Sequence, residues 1–381
     1  MILVIADDFT GAAELAGIAL DYGLKTEVQT EIDANPNLDV LILDTNTRSK
    51  TSSQAEEVID KLGKLIKDYD FNLIYKKTDS VLRGHIFTEL KKLQEYYPDK
   101  SILLVPANPS QGRIIKDGRY LINEKLLHKT HFGNDPESPT ITSDVMKLMK
   151  IDKQSDISLI SNFEKVSFGL GKIYLAEAKN SDEINFWAEL STDDIIPAGG
   201  ANFFEALLAS KKLQKRTNKI ETLNKNDFDR KRLFICGSSL SSVKNIKNIL
   251  LGKKPKIIEI SKDLLFRDNI KDFLQLVIES FKTTNSVIIT MNISGNLSRL
   301  NTFKIPKLFA DIAYGVFEEI DLDEILVEGG TTSSEVIRKI GWKRLKPIKQ
   351  VGEGVIRLKV VDSKSNYLTV KPGSYEWPKD I

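Results

Sequence analysis

The sequence has few of the residues that build metal centres and disulfide frameworks. It contains one cysteine, Cys236, and three histidines among 381 residues. A single cysteine excludes an internal disulfide and any site with several cysteine ligands from one chain. No apolar run approaches the roughly 20 residues that a membrane span needs, and no basic segment precedes the short apolar run at the N-terminus. The sequence therefore predicts a cytoplasmic protein without membrane attachment and without a histidine- or cysteine-rich metal centre.

An excess of charge of one sign is also missing. The 55 basic and 53 acidic residues leave a net charge of +2, so there is no bulk field to attract nucleic acid or an anionic membrane. The most basic stretch, residues 211–231, is interrupted by Glu221, Asp227 and Asp229. A mixed polar run of this kind is typical of a solvated connector. Nucleic-acid binding is therefore not predicted.

The chain length and the alternation of apolar runs with helical spacing predict the fold class. A chain of this length favours two domains, and strands that alternate with helices favour parallel sheets. We expect two α/β domains, at 1–214 and 232–381, joined by a linker at 215–231. Residues 347–370 alternate like antiparallel strands and predict a β-rich tail, whereas Asp117–Ser143 lacks periodicity and predicts a long active-site loop or lid.

The first 17 residues combine a buried strand with two adjacent carboxylates. Ile2–Ile5 is continuously apolar, Asp7 and Asp8 follow it, and Thr10 with Gly11 suits a helix start. Small residues in the helix leave room for a ligand or another backbone to approach closely. Open α/β sheets bind ligands at the carboxyl ends of their strands. The two aspartates are either helix caps or part of a site, and their adjacency after a buried strand favours a site.

Ionic and amide side chains also follow other predicted strands in the first half. We call the residues that directly follow a strand its exit. The candidates are Asp44, Lys77, Asp79, Arg83, Asn108 and Arg113. An arginine can hold a carboxylate or phosphate with two parallel hydrogen bonds. An aspartate can accept hydrogen bonds from sugar hydroxyls, or take the proton of an attacking hydroxyl. This mixture predicts a site for a small hydroxylated anion.

Two turns rich in glycine and hydroxyl groups follow predicted strands in the second half. They are Gly237-Ser238-Ser239 and Gly329-Gly330-Thr331-Thr332-Ser333, and each precedes a predicted helix. Backbone N–H groups at a helix start suit an anion such as phosphate. Either turn alone is weak support, but both in one domain favour a nucleotide site. No G-x-x-x-x-G-K-[ST] loop and no strand-linked G-x-G-x-x-G is present, so neither a P-loop enzyme nor a dinucleotide-dependent dehydrogenase is indicated.

Six segments in one order along the chain resemble the four-carbon acid sugar kinases. These segments are IADDFTGAAELAG at residues 5–17, KKTDSVLRGH at 76–85, VPANPSQGR at 105–113, CGSS at 236–239, EGGTTSSEV at 328–336 and KPGSY at 371–375. The resemblance implies an N-terminal acid-sugar-binding domain and a C-terminal nucleotide-binding domain. It also implies the use of ATP to phosphorylate threonate, erythronate or an oxo-tetronate in carbohydrate catabolism.

The resemblance assigns site residues position by position. It places ATP contacts on Ser238, Glu328, Gly329, Gly330, Thr331 and Gly373, and the acid sugar near Asp7, Asp8, Lys77, Asp79 and Arg83. The strand exits add Thr10, Asn108 and Arg113 as substrate contacts. Mg²⁺ is expected with the nucleotide, held mainly by phosphates and water. The base is either Asp79 or Asp8, and Arg83 either anchors the substrate carboxylate or steadies the transferring phosphoryl group.

Two other function classes remain open at this point. A hydrolase or an aldolase-like enzyme could use the acids of the first half without a nucleotide. A sugar-acid sensor would bind its ligand without turnover. The sequence also leaves open whether the chain forms a homodimer.

Overall fold

The computed structural model describes most of the chain, and its contacts group the chain into two compact units. Residues 1–33, 37–134, 139–151, 157–161, 166–215, 230–237, 255–266, 269–291, 304–363, 366–373, 375–378 and 381 are described. Unit 1 comprises Met1–Lys25 and Ala34–Arg216, and unit 2 comprises Thr26–Asp33 and Thr217–Ile381. Most of the linker predicted at 215–231 lies outside the described residues. The predicted domain boundaries and their functions stay predictions.

Strands and helices alternate from the first residues onward. In chain order the elements up to residue 210 are β1 (Ile2–Ala6), α1 (Phe9–Asp21), β2 (Thr26–Gln29), β3 (Val40–Asp44), α2 (Ser52–Ile66), β4 (Leu73–Lys77), α3 (Ile86–Glu95), β5 (Ser101–Val105), β6 (Arg113–Lys116), β7 (Arg119–Ile122), β8 (Lys125–Leu126), α4 (Val145–Leu148), β9 (Ile157–Ile160), β10 (Ile173–Ala176), α5 (Ser181–Glu189), β11 (Ile195–Gly199) and α6 (Ala201–Ser210). All of them except β2 belong to unit 1.

Unit 1 is built on a parallel sheet, with the strand order β3-β1-β4-β11-β5-β10-β9. Strands β3, β5 and β11 are buried along their whole length, as expected of apolar strands covered on both faces. All carboxyl ends in a parallel sheet lie at one edge. The chain therefore leaves β3, β1 and β4 at neighbouring points, and the predicted α/β class with mainly parallel strands is confirmed.

The prediction of a long loop at Asp117–Ser143 is wrong for its first part. Strands β6, β7 and β8 form a small antiparallel sheet. Asp117, Asn123 and Glu124 adopt positive φ at the two turns, which lets very short connections reverse the chain. Short strands with one-turn connections carry too few residues for an alternating pattern to stand out.

The N-cap of the first helix lies two residues before Thr10, the capping residue that the sequence suggested. Asp8 is the N-cap of α1, and its Oδ1 accepts a hydrogen bond from the Gly11 backbone N–H at 2.9 Å. Thr10 does not cap the helix, because its hydroxyl donates to Asp8 Oδ2 at 2.7 Å. The small residues of the helix, including Ala12, Ala13 and Ala16, are fully buried. The space that they leave is filled by the protein core.

Unit 2 restarts the alternation and ends in antiparallel strands. Its elements after β2 are β12 (Arg232–Cys236), β13 (Lys256–Ile260), α7 (Lys271–Ser280), β14 (Ser286–Met291), α8 (Lys304–Glu319), β15 (Glu324–Glu328), α9 (Gly330–Ile340), β16 (Arg344–Gly352), β17 (Val355–Val360) and β18 (Tyr367–Lys371). The strand order is β13-β14-β12-β15-β18-β17-β16-β2. The five strands β13, β14, β12, β15 and β18 are parallel to one another. The strands β17, β16 and β2 follow them, and each pairs antiparallel with the strand before it. The tail thus supplies one parallel strand besides the predicted antiparallel ones.

A buried carboxylate links strands of unit 2. Glu324 at the start of β15 accepts from Arg357 Nε at 2.8 Å and Nη2 at 3.1 Å, and from the hydroxyl of Thr369. Arg232 Nε lies 3.4 Å from Glu324 Oε2. All four residues are buried. A buried charge is tolerated only when paired and hydrogen-bonded, so Glu324 fixes the relative placement of β12, β15, β17 and β18.

Removing the charge of Glu324 should destabilise unit 2. Glu324→Gln leaves the buried Arg357 without its counter-charge, and breaking such a pair costs about 3–5 kcal/mol. Denaturant unfolding of the full chain measures this loss. The exposed Glu319→Gln on α8 is the matched control and should change the free energy of unfolding by less than about 0.5 kcal/mol. Equal stabilities of the two variants would contradict this assignment.

Candidate functional site

The centre of the site in unit 1 is Arg48, four residues beyond the end of β3. Its Nε lies 2.8 Å from Asp7 Oδ2 and its Nη2 lies 2.9 Å from Asp7 Oδ1, so this pair is bidentate. Arg48 Nη1 donates to Asp8 Oδ2 at 2.8 Å and lies 3.3 Å from Asp79 Oδ1. One guanidinium therefore gathers three carboxylates from the exits of β1 and β4.

Asp79 also holds the arginine that follows it. Arg83 donates from Nε to Oδ2 at 3.0 Å and from Nη2 to Oδ1 at 2.9 Å, and its backbone N–H donates to Oδ2 at 3.1 Å. The backbone N–H of Val81 adds a further hydrogen bond to Oδ2 at 3.2 Å. Leu82, with φ of 64°, makes the tight turn that brings Arg83 back onto the carboxylate. The sequence Asp-Ser-Val-Leu-Arg thus closes on itself at the end of β4.

The electrostatics of this cluster keep Asp7 and Asp79 ionised. Burial alone would raise the pKa of Asp79, but the charges of Arg83 and Arg48 and the hydrogen bonds from Arg83 outweigh it and hold the pKa well below the ordinary value. Burial also acts to raise the pKa of Asp7, and Arg48, assisted by Lys76 and Lys77, reverses that effect. Burial would lower the pKa of Arg48, and the three carboxylates raise it well above its usual range.

Lys77 lies beside the carboxylate cluster at the end of β4. Its Nζ is 3.6 Å from Glu14 Oε2 and donates to the Thr78 carbonyl at 3.0 Å. A Cβ on Gly11 would lie 3.2 Å from this ammonium and 2.7 Å from Asp8 Oδ1. Glycine at position 11 therefore allows the start of α1 to approach both groups. Lys77 belongs to the same neighbourhood as Asp8, as the strand-exit reasoning predicted.

Arg113 and Asn108 lie at the exit of β5. Arg113 Nη1 donates to the hydroxyl of Ser80. Ser80 directly follows Asp79 in the chain, so this hydrogen bond brings the Arg113 guanidinium to the turn after β4. The Asn108 side chain accepts from the Ser110 hydroxyl at 3.0 Å, and its backbone forms a bridge with Arg113. The structure thus links Arg113 to the β4 exit, and the hydrogen bonds of the Asn108 side chain stay within its own loop.

Two aromatic residues that follow β6 contact the residues at the ends of β4 and β5. The Tyr120 hydroxyl on β7 donates to the Ser80 carbonyl, and burial raises the pKa of Tyr120, so the hydroxyl keeps its proton. Phe132 lies further along, with the guanidinium carbon of Arg83 at 5.4 Å and that of Arg113 at 5.7 Å from its ring centroid. Both distances fall within the range of cation–π attraction.

Arg48 and Phe132 are the two residues of this site that sequence reasoning missed. Asp44 at the end of β3 is a candidate from the sequence, but nothing in the polar residues that follow it distinguishes Arg48 from its neighbours. The available signal was charge balance, because several aspartates at neighbouring strand exits require a buried cation from another exit. Phe132 stood in a segment without periodicity, and an aromatic residue there gives no indication of what it contacts.

The predicted nucleotide residues in unit 2 surround a buried ion pair at the carboxyl ends of β15 and β18. Lys371 Nζ lies 3.0 Å from Glu328 Oε1, and neither side chain is accessible to solvent. The same ammonium donates to the carbonyls of Pro372 at 3.0 Å and Tyr375 at 2.5 Å. Lys371 therefore neutralises Glu328 and also fixes the turn that contains Gly373.

Helix α9 starts directly after Glu328. Its N-cap is Gly329, with φ of 95° and no side chain to cap the helix, and Gly330 and Thr331 form the first turn. The first N–H groups of a helix have no intrahelical acceptor, and here no N-cap side chain competes for them. A Cβ on Gly329 would meet its first neighbour only at 4.0 Å, so the N-cap position itself is uncrowded. These features fit a phosphate.

Two other predictions concern Cys236 and the first glycine-rich turn. Cys236 ends β12 and is buried, and burial with the nearby charge of Glu328 raises the pKa of its thiol well above the ordinary value. This agrees with a packing role. Ser238, predicted to contact ATP, lies outside the described residues.

Among the described residues, no group of three histidine, cysteine or acidic side chains could hold a metal ion, and no helix is long and apolar enough to cross a membrane.

The ionised state of Asp79 predicts how stability depends on pH. Because its folded pKa is below the ordinary value of 3.8, its contribution is complete above that value and is lost as the pH falls below it. Asp79→Asn should cost about 2 kcal/mol at pH 7, and the difference from wild type should shrink between pH 5 and pH 2.5. Urea unfolding across this range measures it. The exposed Asp70→Asn should follow the wild-type curve, and a difference that stays constant with pH would refute the ion-pair account.

Comparisons with known proteins show what the chain is similar to. A family model described as the sugar-binding N-terminal domain matches residues 2–184. The chain is 30% identical over 164 residues to a D-threonate kinase of Salmonella typhimurium, a match that covers 42% of this chain and 38% of that protein. It is 21% identical over 406 residues to a 3-oxo-tetronate kinase of Haemophilus influenzae, across 98% of this chain and 97% of the relative.

A solved structure supports the fold. A Haemophilus influenzae protein of family DUF1537 superposes with a TM-score of 0.68 at 20% identity, over 99% of this chain and 97% of the other. At this identity the match shows the fold alone. The family model and the curated relatives add information on the family, beyond the fold. Residues 2–184 therefore match the family of the sugar-binding N-terminal domain, and the curated relatives of the chain are named as four-carbon acid sugar kinases, as its motifs indicated.

Proposed function

We propose that the protein is an ATP-dependent kinase that phosphorylates a hydroxyl of a four-carbon sugar acid. The observation that carries the proposal is the gathering of Asp7, Asp8 and Asp79 around Arg48 at the carboxyl ends of adjacent parallel strands, within the sugar-binding domain. The kinase names of the curated relatives support the reaction. Threonate, erythronate and oxo-tetronates are the candidate substrates.

In this proposal, unit 1 binds the sugar acid through two kinds of group. Arg113 and Arg83 bind the carboxylate, since guanidinium groups match its geometry. The aspartates and Lys77 bind the hydroxyls. Thr10 and Asn108 complete the substrate set as supporting residues, because Thr10 donates to Asp8 and Asn108 is joined to Arg113 by its backbone.

We assign the role of general base to Asp8 and a positioning role to Asp79. Asp79 accepts four hydrogen bonds from Val81 and Arg83 and an ion pair from Arg48. These donors stabilise its ionised form and lower its affinity for a proton, so it is a weak base. Asp8 accepts from fewer donors, namely Thr10, Gly11 and Arg48. Asp79 instead orients Arg83 for the carboxylate or the transferring phosphoryl group.

Unit 2 binds the nucleotide in this proposal. The N–H groups of Gly330 and Thr331 at the start of α9 hold phosphate oxygens, helped by the helix dipole. Ser238 and Gly373 contribute by resemblance. Mg²⁺ would accompany the nucleotide, held by phosphate oxygens and water, and would neutralise charge that develops during transfer.

A coupled ADP-release assay tests the reaction and the base together. We expect turnover of at least one four-carbon sugar acid with ATP and Mg²⁺. Asp8→Asn should lower kcat by about 100-fold or more, while the helix start survives because Asn is as good an N-cap as Asp. Asp79→Asn should mainly raise KM. The exposed Asp70→Asn should leave both constants unchanged.

Four outcomes would count against the proposal. If the folded protein shows no turnover of threonate, erythronate, 2-oxo-tetronate or 3-oxo-tetronate, the proposed substrate class is ruled out. Turnover without ATP would favour a hydrolase or aldolase-like enzyme, and binding without ADP release would favour a sensor. A mild effect of Asp8→Asn beside a severe loss of kcat in Asp79→Asn would move the base to Asp79.

The nucleotide site has a matched pair of test positions at the two ends of α9. Gly329 and Gly341 both have positive φ, 95° and 86°, and a Cβ meets no close neighbour at either. Alanine at either position should therefore cost a similar strain of about 1–2 kcal/mol. Only Gly329→Ala should weaken ATP binding, by about 10-fold in calorimetry, because it distorts the N–H groups that hold phosphate. Equal ATP affinities of the two variants would place the phosphates elsewhere.

A further inference from the structure

Phe132 contacts both guanidinium groups that the proposed function assigns to the substrate carboxylate. Its side chain is buried, with 3% of its surface exposed. The guanidinium carbons of Arg83 and Arg113 lie 5.4 Å and 5.7 Å from the centroid of this one ring. The residue is anchored through its backbone, since its carbonyl accepts from the Thr140 N–H at 3.0 Å. The ring is therefore a fixed surface beside two cations.

The two arginines differ in how their charges are balanced. Arg83 is held by Asp79 in a bidentate pair. Arg113 donates to the neutral Ser80 hydroxyl, and among the described residues no carboxylate lies within ion-pair distance of it. Two cations beside one ring repel each other, and the negative face of the ring offsets only part of that repulsion. An anion bound beside Arg113 would offset the rest.

We propose that Phe132 is a positioning residue that makes the site specific for a sugar bearing a carboxylate. This inference rests on the proposed function. The ring attracts the Arg113 guanidinium and holds it in place, so the N–H donors that Arg113 does not use on Ser80 can meet a ligand. Arg113 uses Nη1 on Ser80, and its remaining donors match the two oxygens of a carboxylate. A neutral four-carbon polyol offers no such partner and gains nothing from this arrangement.

The test compares the removal of the aromatic face with its retention. Phe132→Leu keeps an apolar side chain of similar size without the ring, and Phe132→Tyr keeps the ring. Phe203→Leu is the matched control, since Phe203 is equally buried in unit 1 and its ring packs on Tyr75. Calorimetry with the full chain and no nucleotide gives the dissociation constants of D-threonate, D-erythronate and the neutral polyol threitol. Melting temperatures verify that each variant is folded.

The expected result is a change in discrimination between acid and polyol. Phe132→Leu should weaken binding of the preferred acid by about 10-fold and leave the affinity for threitol unchanged. Phe132→Tyr and Phe203→Leu should keep the wild-type ratio of the two affinities. If turnover is observed, Phe132→Leu should raise KM by a similar factor with kcat within about twofold of wild type.

Several results would overturn this role for Phe132. They are an unchanged acid affinity in Phe132→Leu, an equal loss of acid and polyol affinity, an equal effect of Phe203→Leu, or wild-type protein that binds neither acid. Failure of the proposed function looks different. Acid binding that depends on the ring, without any ADP release, would reject the kinase and retain the carboxylate specificity.

Discussion

The neutralisation of three buried carboxylates by Arg48 is the interaction on which the site in unit 1 depends. Asp7, Asp8 and Asp79 are almost fully buried, and ionised groups taken out of water are costly unless they are paired and hydrogen-bonded. A single guanidinium with five donors can serve several carboxylates from different strands, which an ammonium cannot do with the same geometry. The parallel sheet brings the exits of β1, β3 and β4 together, and Arg48 makes their charges compatible with burial.

Unit 2 solves the same problem with a lysine. Glu328 and Lys371 end the neighbouring strands β15 and β18, and the ammonium is shared between the carboxylate and two carbonyls of the following turn. The buried charge therefore shapes the backbone around it and leaves the helix start at Gly329 and Gly330 uncapped by side chains. In unit 1 the paired charges hold side chains in place, whereas in unit 2 they hold backbone in place. Side chains suit the recognition of one small acid, and backbone N–H groups suit phosphates.

The sequence predicted the strands and their exits well because both depend on local properties. An apolar run followed by polar residues identifies β1, β3, β4 and β5 without any knowledge of their neighbours. The strands of the small sheet β6 to β8 are close together in the chain but too short for an alternating pattern to stand out. The partners of Arg48 and the contacts of Phe132 depend instead on segments that are distant in the chain, which one sequence does not encode in its local order. The grouping of β2 with unit 2 is of the same kind, because its pairing with β16 joins residues more than three hundred positions apart.

The division of charge within unit 1 suggests how substrate preference can vary on one scaffold. Asp7, Asp8, Asp79 and Arg48 satisfy one another, so a change at any of them disturbs burial as well as binding. Arg113 and Phe132 belong to the exit of β5 and the segment after β8, and Arg113 pairs with a neutral hydroxyl and a ring. Changes there alter ligand contacts without leaving a carboxylate of the cluster unpaired. We therefore expect the sugar acid to be selected mainly by these peripheral residues, with the aspartate cluster as the constant part of the site.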